Sequence, residues 1–545
     1  MMTRRRGAAL ALTAWLALLT SAVQAAAMRQ DFRSVSGQTR VTFSGTGSGR
    51  GPSVTGGALR LLDGGQNENN AVAFDRTAPG LYRRIDAAWQ MQIAPGGEGA
   101  SFVLLNTQKR GVKGAAPAGV AWDSPRLPGA FGVAFDVHDP PTRNPFSADR
   151  NIYGRPQREV ALFWDGAEIV RRLSPVEFRG RTPLAVRVTV AFVCGGADVT
   201  VRIAGVAVYA DYFLPGMTPY ESRVAFGGRT DAATTTLAIR NVAVSWRDLT
   251  VAPPPPLVVP AINQQPLDIA HNRQSSVVAF PDDTDGYGRI LCTLTLDKPD
   301  KGYDPWDRQA AIYAYDDQGE RFELLRFITP YHRGYTWTLD VSDYRPLLRG
   351  RHKIEAWCET YSTGWKASVT FAFYPGRADR LAYRVMNLWR GQPEIGNPDK
   401  PITSFFTPQT IRPDPAADFV KLRFTVTGHG QAPNTDDAAE FLPLRRTVSV
   451  NGMNFPNLLW KTDNYLNPCS PQGGTWKFDR AGWGPGDVVT PWDIDATPFL
   501  PPGQASVIRY QIAPYVNKTP DPGNPARHWI ESQVIFYHVS PAASS

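Results

Sequence analysis

The stretch VRVTVAFVCGGADVTVRI (residues 186–203) carries the pattern that decides the fold class. In residues 186–192, valine and phenylalanine occupy every second position, so their side chains lie on one face of a strand. A CGG turn at 194–196 follows, and the alternation resumes in 199–203. This pattern predicts a β-hairpin.

The same period of two recurs along the rest of the chain. Residues 310–315 and 321–328 alternate around a DDQG turn and predict a second hairpin. Further strands are predicted at 237–244, 368–374, 420–427, 447–450, 506–512 and 533–539. We therefore predict an all-β protein, built from β-sandwich units in series.

Composition agrees with this fold class and excludes others. The 545 residues include 48 Gly and 47 Pro, too many for a helical bundle, and 42% are hydrophobic, too many for a disordered chain. The length predicts two to four domains. The net charge of +8 is spread without a dense Lys/Arg block, so no nucleic-acid partner is expected.

The first 27 residues have the layout of a signal peptide. A basic segment at 1–6 precedes an apolar run at 8–19 and small residues at 21–27, which predicts cleavage after Ala25 or Ala27. We expect a secreted or periplasmic protein. After this segment no apolar run approaches the ~18 residues of a membrane span. Four cysteines are too few for a disulfide scaffold, and their pairing cannot be read from spacing: Cys194, Cys292, Cys358 and Cys469.

Two proline-containing segments mark the predicted domain boundaries. The PPPP run at 253–256 indicates a stiff linker over 251–261, and PGRAD at 375–379 indicates a shorter one. We predict three sandwiches, at 28–250, 262–376 and 377–545. They are called the first, second and third units below.

The first unit resembles a lectin fold. The strings GVAFDVHD (132–139), EVALFWDG (159–166) and VAFGGRT (224–230) are similar to strands of the concanavalin-like lectin sandwich. The resemblance implies sugar binding, and a calcium loop in which Asp136, Asp139 and Asn144 would supply oxygen ligands. The alternative is a solvated loop of turn-forming residues, and we adopt it, so no metal is predicted.

The absence of other catalytic motifs leaves carboxylates as the candidate catalytic groups. The chain has no G-x-S-x-G, H-E-x-x-H or P-loop motif, and its seven histidines form no H-x-H pair. Three acids stand beside aromatic residues or strand ends: Asp307 within DPWDR, Glu359 after an alternating segment, and Glu440 before the strand at 447–450. Taken singly, such acids are more often structural or solvated than catalytic.

Several distant strings, in one order, resemble the peptide:N-glycosidase F family over residues 262–540. They are WDR (306–308), RFITPY (326–331), ET (359–360), the glycines at 428 and 430 leading to AE (439–440), and DRAGW (479–483). Members of this family are bacterial amidases that remove N-glycans. The resemblance implies an adjacent pair of jelly-roll sandwiches with the active site at their interface.

The resemblance also implies residue roles. Asp307 would orient or activate the water, Glu440 would contact the substrate near the scissile linkage, and Glu359 would be a supporting acid. The predicted substrate-binding residues are Arg480, Arg308, Trp306, Trp483, Phe441 and Tyr361. For Trp306 and Trp483 this rests on their flat apolar faces, and the alternative is that both are core aromatics. In the best-known family member, tryptophans stand at the positions of Phe441 and Tyr361, and cysteines at those of Leu442 and Gly484.

The sequence therefore predicts an amidase that converts glycosylated Asn to Asp and releases the whole glycan. Amide hydrolysis needs an activated water and stabilisation of the carbonyl oxygen, which clustered carboxylates and an arginine can supply. We expect no cofactor, a monomer, and N-glycosylated proteins or glycopeptides as partners. The alternatives are a non-catalytic glycan-binding or adhesion protein, and a glycoside hydrolase that uses the same acids.

Overall fold

The computed structural model describes residues 26–33, 41–45, 51–138, 158–430, 439–517 and 522–540. Residues 1–25 of the predicted signal peptide lie outside these ranges. Regular structure in the described residues is almost entirely β, as predicted. One short helix, α1 (Thr107–Arg110), and four 3-10 turns complete it: Ser342–Leu347, Ile402–Ser404, Asn464–Leu466 and Thr497–Phe499.

The first unit is a sandwich of two antiparallel sheets. Its strands are β1 (Ala26–Gln30), β2 (Val41–Ser44), β3 (Ser53–Thr55), β4 (Ala58–Asp63), β5 (Asn69–Phe74), β6 (Leu81–Ile93), β7 (Gly99–Asn106), β8 (Phe131–Asp136), β9 (Glu159–Trp164), β10 (Ala167–Leu173), β11 (Leu184–Val193), β12 (Gly196–Ile203), β13 (Val206–Pro215), β14 (Ser222–Arg229) and β15 (Thr236–Thr250). In the described ranges one sheet runs β13-β12-β11-β6-β15-β4-β3, with β1 added beside β15, and the other runs β10-β9-β8-β7-β14-β5-β2.

The opening hairpin is confirmed as β11 paired with β12. Val186, Val188 and Val190 are buried, whereas Arg187 between them is exposed. This alternation places one face of the sheet in the core and the other in solvent. The core also holds Trp89, which stacks on Phe102 from the opposite sheet with ring centres 4.9 Å apart.

The second unit is a smaller sandwich that carries part of the candidate site. Its strands are β16 (Leu257–Leu267), β17 (Arg273–Ala279), β18 (Tyr287–Asp297), β19 (Gln309–Tyr315), β20 (Arg321–Ile328), β21 (Tyr335–Asp340), β22 (Arg351–Cys358) and β23 (Trp365–Pro375). One sheet runs β16-β23-β18-β21 and the other β17-β22-β19-β20. The predicted hairpin at 310–328 is confirmed as β19 and β20.

The third unit is a further sandwich that packs against the second. Its strands are β24 (Arg380–Gly391), β25 (Gln409–Ile411), β26 (Phe419–His429), β27 (Leu444–Val450), β28 (Met453–Leu459), β29 (Asp487–Val488), β30 (Trp492–Asp495), β31 (Ser506–Ile512) and β32 (Arg527–Val539). The sheets run β24-β32-β26-β30 and β25-β31-β27-β28, whereas β29 leaves them and extends the second unit's sheet beside β20.

One detail differs from the sequence expectations. The predicted linker at 251–261 is too long, because β16 already begins at Leu257 and continues through Pro260. This strand is at the edge of its sheet, where proline costs no hydrogen bond to a neighbour. All four cysteines are free thiols in the structure. None of the helices in the described ranges is long and apolar enough to cross a membrane.

Candidate active site

Asp307 lies in the loop before β19, and a buried aspartate holds this loop in shape. The Asp304 carboxylate accepts both Arg308 Nε (2.9 Å) and Nη2 (3.1 Å). It also accepts the Thr360 hydroxyl (2.5 Å) and the Trp306 backbone N–H (2.9 Å). Burial raises the pKa of Asp304, but these donors outweigh burial and hold the pKa below its ordinary value. Asp304 is therefore an anion that fixes the loop.

The Asp307 carboxyl has the opposite electrostatic balance. Burial raises its pKa, and the charges of Arg480 and Arg308 together with a hydrogen bond from the Tyr331 hydroxyl only partly offset this. Asp307 therefore keeps its proton to a higher pH than an exposed aspartate. Once ionised, such a carboxylate is a stronger base.

Arg480 bonds to Glu440 and acts electrostatically on Asp307, across the boundary between the second and third units. Its buried guanidinium donates through Nε to Glu440 Oε1 at 3.3 Å. The same guanidinium is the strongest charged influence on Asp307. Asp307 precedes β19 of the second unit, whereas Glu440 precedes β27 of the third. The two acids therefore face a common arginine between the two sandwiches.

The backbone around Glu440 is held by a close approach of three segments. The Ala481 N–H donates to the Glu440 carbonyl (2.8 Å), and the Gly428 N–H donates to the Ala481 carbonyl (3.0 Å). A Cβ at Gly428 would lie 2.0 Å from the Ala439 carbonyl oxygen. Glycine is therefore required at position 428, which accounts for one of the two glycines at 428 and 430 in the matched strings.

Glu359 lies next to the Asp307 loop, just after the neighbouring strand. It follows β22, and its N–H donates to the Gln309 carbonyl at 2.9 Å. Its Oε1 accepts the Tyr361 hydroxyl at 3.0 Å, and the Arg308 guanidinium lies 5.2 Å from the centre of the Tyr361 ring. Glu359 thus reaches the Asp307 loop through Tyr361 and Arg308. Because Asp304 binds the Arg308 guanidinium, Arg308 supports the loop, and substrate binding by it stays a prediction.

The aromatic residues of the predicted site fall into two groups. Trp306 is 59% exposed and Tyr361 is 63% exposed, so both offer free ring faces beside the acids. Phe441 is half-buried and lies 5.1 Å from the Arg480 guanidinium. The prediction of a sugar-binding face is wrong for Trp483, which is only 4% exposed. Its indole donates to the Gly428 carbonyl (2.7 Å) and stacks on His429, so it supports the site from within the core.

Sequence reasoning did not single out Tyr331, Thr475 or Asp304. The Tyr331 hydroxyl lies 3.3 Å from Thr475 Oγ1, and it lowers the pKa of Asp307. Its backbone N–H donates to Gln472 Oε1 at 3.1 Å. Tyr331 ends the RFITPY string, and this position in a matched string was the available signal. Asp304 stands four residues before Arg308, the spacing of their ion pair.

The Asp136 carboxylate, a calcium ligand in the lectin resemblance, is bound by an arginine instead. Arg171 Nη1 lies 2.7 Å from Asp136 and 3.1 Å from Glu159, and its Nε lies 2.9 Å from Glu168. A guanidinium therefore supplies the positive charge at this point. Asp139 and Asn144 lie outside the described residues. Within the described ranges, no group of three or more His, Cys, Asp or Glu side chains is arranged to hold a metal ion.

The first unit also contacts the chain segment that leads to Arg480. Leu173, at the end of β10, packs on the buried Tyr465 and Leu466. The adjacent Asn464 side chain donates to the carbonyl oxygens of Phe478 (2.7 Å) and Trp483 (3.0 Å). Phe478 precedes the DRAGW string and Trp483 ends it, so the first unit packs against residues that support the Arg480 loop.

Comparison with known proteins gives a family-model match within the third unit and a relative that matches less than half of this chain. Residues 402–536 match the family model described as Peptide-N-glycosidase F, C terminal. A relative from Elizabethkingia miricola, peptide-N(4)-(N-acetyl-β-D-glucosaminyl)asparagine amidase F, is 29% identical over 253 residues, which are 44% of this chain and 71% of the relative.

Solved structures with lower overall similarity were also found. A crystal structure of a peptide-N(4)-(N-acetyl-β-D-glucosaminyl)asparagine amidase matches with 25% identity and a TM-score of 0.48, covering 52% of this chain and 97% of that one. The exoplasmic/lumenal domain of VIP36, in a form with Ca²⁺ and Man₃GlcNAc bound, matches with 12% identity and a TM-score of 0.29, covering 39% of this chain and 85% of that one. The family model and the amidase F relative confirm the predicted resemblance of this chain to the peptide:N-glycosidase F family.

Proposed function

We propose that this chain is a secreted amidase that hydrolyses the bond between asparagine and the innermost N-acetylglucosamine of N-glycoproteins. The relative that is 29% identical over 253 residues carries the name of this activity. One water cleaves the amide to give aspartate and a glycosylamine. A second water converts the glycosylamine to the free glycan and ammonia. The second step is hydrolysis of the released glycosylamine in water, and the proposal includes no cofactor.

The observation that carries the proposal is the buried Arg480, which bonds to Glu440 and lowers the pKa of Asp307. An amide is resonance-stabilised, so its hydrolysis needs a base for the water and a positive group near the developing oxyanion. Asp307, with its raised pKa, suits the base, and Arg480 supplies the positive charge. Glu440, held 3.3 Å from Arg480, is then positioned near the scissile linkage, with Glu359 as a supporting acid.

Sugar recognition is assigned to the exposed rings around these acids. Trp306 and Tyr361 expose more than half of their surface. Aromatic faces of this kind pack against the apolar faces of sugar rings. Phe441 lies deeper, next to the Arg480 guanidinium, and would contact the innermost sugar.

The test is release of glycans from a denatured N-glycoprotein, followed by mass analysis of the protein and the glycan. The wild type should release intact glycans and leave Asp at each site. Asp307→Asn should lower turnover by at least about 100-fold while the fold is retained. Asp317→Asn, in the exposed turn at the other end of β19, is the matched control and should keep full activity. Undiminished turnover in Asp307→Asn would refute the assigned role.

Product masses separate the alternatives. A glycoside hydrolase leaves a sugar on Asn, or cleaves between sugars, and does not convert Asn to Asp. A glycan-binding or adhesion protein retains glycopeptides and releases nothing. A carbohydrate-binding role for the first unit stays a separate hypothesis.

Secretion and the monomeric state are part of the same proposal. Sequencing of the exported protein should show a new N-terminus at residue 26 or 28. Cleavage after Ala25 keeps β1 whole, whereas cleavage after Ala27 removes its first two residues. Light scattering on the purified protein should give the mass of one chain.

A further inference from the structure

Thr475 lies between Arg480 and Tyr331 and contacts both side chains. Arg480 Nη2 donates to the Thr475 hydroxyl oxygen at 2.8 Å, and Arg480 Nη1 donates to the Thr475 carbonyl at 2.8 Å. The Tyr331 hydroxyl lies 3.3 Å from the Thr475 hydroxyl. It also lowers the pKa of Asp307, and the Thr329 N–H, which donates to the Arg308 carbonyl at 3.0 Å, holds the segments of Tyr331 and Asp307 side by side. Thr475 therefore connects the two groups that lower the pKa of Asp307 most.

The chemistry of the four side chains fixes the direction of this hydrogen-bond chain. A guanidinium only donates, so the Thr475 oxygen must accept from Arg480. Thr475 is then free to donate its own proton to the Tyr331 oxygen. Tyr331 in turn donates to the Asp307 carboxylate, which when ionised can only accept. Each bond polarises the next, so the chain favours the ionised carboxylate.

The loop that carries Thr475 is shaped to reach Tyr331. Gly474 has a φ of +66°, and a Cβ at this position would lie 2.7 Å from the Tyr331 ring. The Gln472 side chain accepts the Tyr331 backbone N–H at 3.1 Å. Three of the four residues from 472 to 475 are thus fitted to Tyr331 by packing or hydrogen bonds.

We propose that Thr475 is a positioning residue, which orients the Tyr331 hydroxyl toward Asp307 and completes a relay from Arg480 through Thr475 and Tyr331 to Asp307. This inference rests on the proposed amidase function for its kinetic consequence, whereas the relay itself does not. Thr475 acts on the reaction only through Tyr331 and Arg480, because its hydroxyl is occupied by these two neighbours.

Other charged groups lie around Asp307 and act on it together with the relay. Arg480 and Arg308 are the cations that lower its pKa. Glu440 bonds to Arg480, and Glu359 lies beside the start of β19. These groups stay in place when the Thr475 hydroxyl is removed, since the Arg480 bond to the Thr475 carbonyl does not involve the side chain.

The kinetic test compares Thr475→Val with Thr475→Ser in the pH profile of kcat/KM for glycan release. Valine keeps the shape and removes the hydroxyl, so the acid limb should move to higher pH by about half to one unit. Serine should return the midpoint to the wild-type value, and the exposed Thr410→Val should leave the profile unchanged. Tyr331→Phe cuts the next link and should shift the limb in the same direction. A Thr475→Val profile that coincides with the wild type overturns the proposal.

A second measurement tests the relay without measuring enzyme activity. The thermal stability of the wild type relative to Asp307→Asn, followed against pH, reports the titration of Asp307 in the folded protein. Its pKa is raised by burial, so the stability difference falls as pH rises through that pKa. In the Thr475→Val background this fall should extend to higher pH. Failure of glycan release in the wild type would refute the proposed function only, whereas identical curves in both backgrounds would refute the relay.

Discussion

The Arg326 guanidinium donates to the Trp529 carbonyl oxygen at 2.8 Å and lies 3.5 Å from the centre of the same residue's indole ring. Arg326 belongs to β20 of the second unit, and Trp529 belongs to β32 of the third. Arg326 also binds Glu323 at 3.0 Å and the Thr427 hydroxyl at 3.0 Å, and all four residues are buried. The two walls of the candidate active site are therefore joined by a buried, directional polar contact.

Replacement of Arg326 should weaken the contact between the two walls of the candidate active site and lower the free energy of unfolding. Arg326→Met leaves Glu323 buried without its cation, and breaking a buried pair in this way costs about 3–5 kcal/mol. Urea unfolding should show this loss of free energy, together with reduced glycan release. The exposed Arg509→Met should change the free energy of unfolding by no more than about 0.5 kcal/mol. Equal losses in the two variants would contradict the role given to Arg326.

The same interface should make stability depend on pH. Burial and the nearby Glu323 carboxyl raise the pKa of Glu531 to about 7, against the opposing charges of Arg326 and Arg321. The folded state therefore holds a proton that the unfolded chain releases near its ordinary value of 4.5. Stability should fall as pH rises from about 4.5 to about 7 and level off above that. Glu531→Gln should flatten this slope in thermal unfolding; a slope that persists would assign it to another group.

The strands could be predicted because hydrophobic side chains at every second position indicate which face of a strand is buried. The side chains of Val186, Val188 and Val190 lie on one face of their strand, and their burial in the core of the first unit stabilises this orientation. The predicted linker extends too far because the PPPP run at 253–256 does not show where the next strand begins. Pro260 is in an edge strand, and an edge cannot be recognised before the pairing is known.

The residues of the candidate site could be predicted where they stand in sequence strings that resemble the family, and not elsewhere. Asp307 and Glu440 stand in strings that resemble a family, and the structure brings both to Arg480. The position of Thr475 follows from its bond to Tyr331, 144 residues away in the chain, which no local pattern reports. Trp483 stands in the same string as Arg480, but a string does not tell whether an aromatic ring faces the cleft or the core.

Gly428 should be intolerant of any side chain, because it holds Glu440 in position. A methyl group at Gly428 would meet the Ala439 carbonyl oxygen at 2.0 Å, so the segment leading to Glu440 must move. Gly428→Ala should lower kcat by at least about tenfold, since a small displacement of a catalytic group has large effects on rate. Gly286→Ala, where a Cβ meets open space, is the matched control and should leave kcat unchanged. A Gly428→Ala enzyme with wild-type kcat would show that Glu440 tolerates this displacement.

The aromatic residues should separate into binding and core positions when each is replaced by alanine. Trp306→Ala and Tyr361→Ala remove exposed rings, so they should raise KM for glycopeptides about tenfold and change the free energy of unfolding by less than 1 kcal/mol. Trp483→Ala empties a buried site beside His429 and should cost about 3–5 kcal/mol in urea unfolding. The reverse assignment, with a stable Trp483→Ala protein impaired only in KM, would restore Trp483 as a sugar-binding face. Because the three variants differ mainly in where a ring is buried, the comparison tests the burial that the structure gives to each ring.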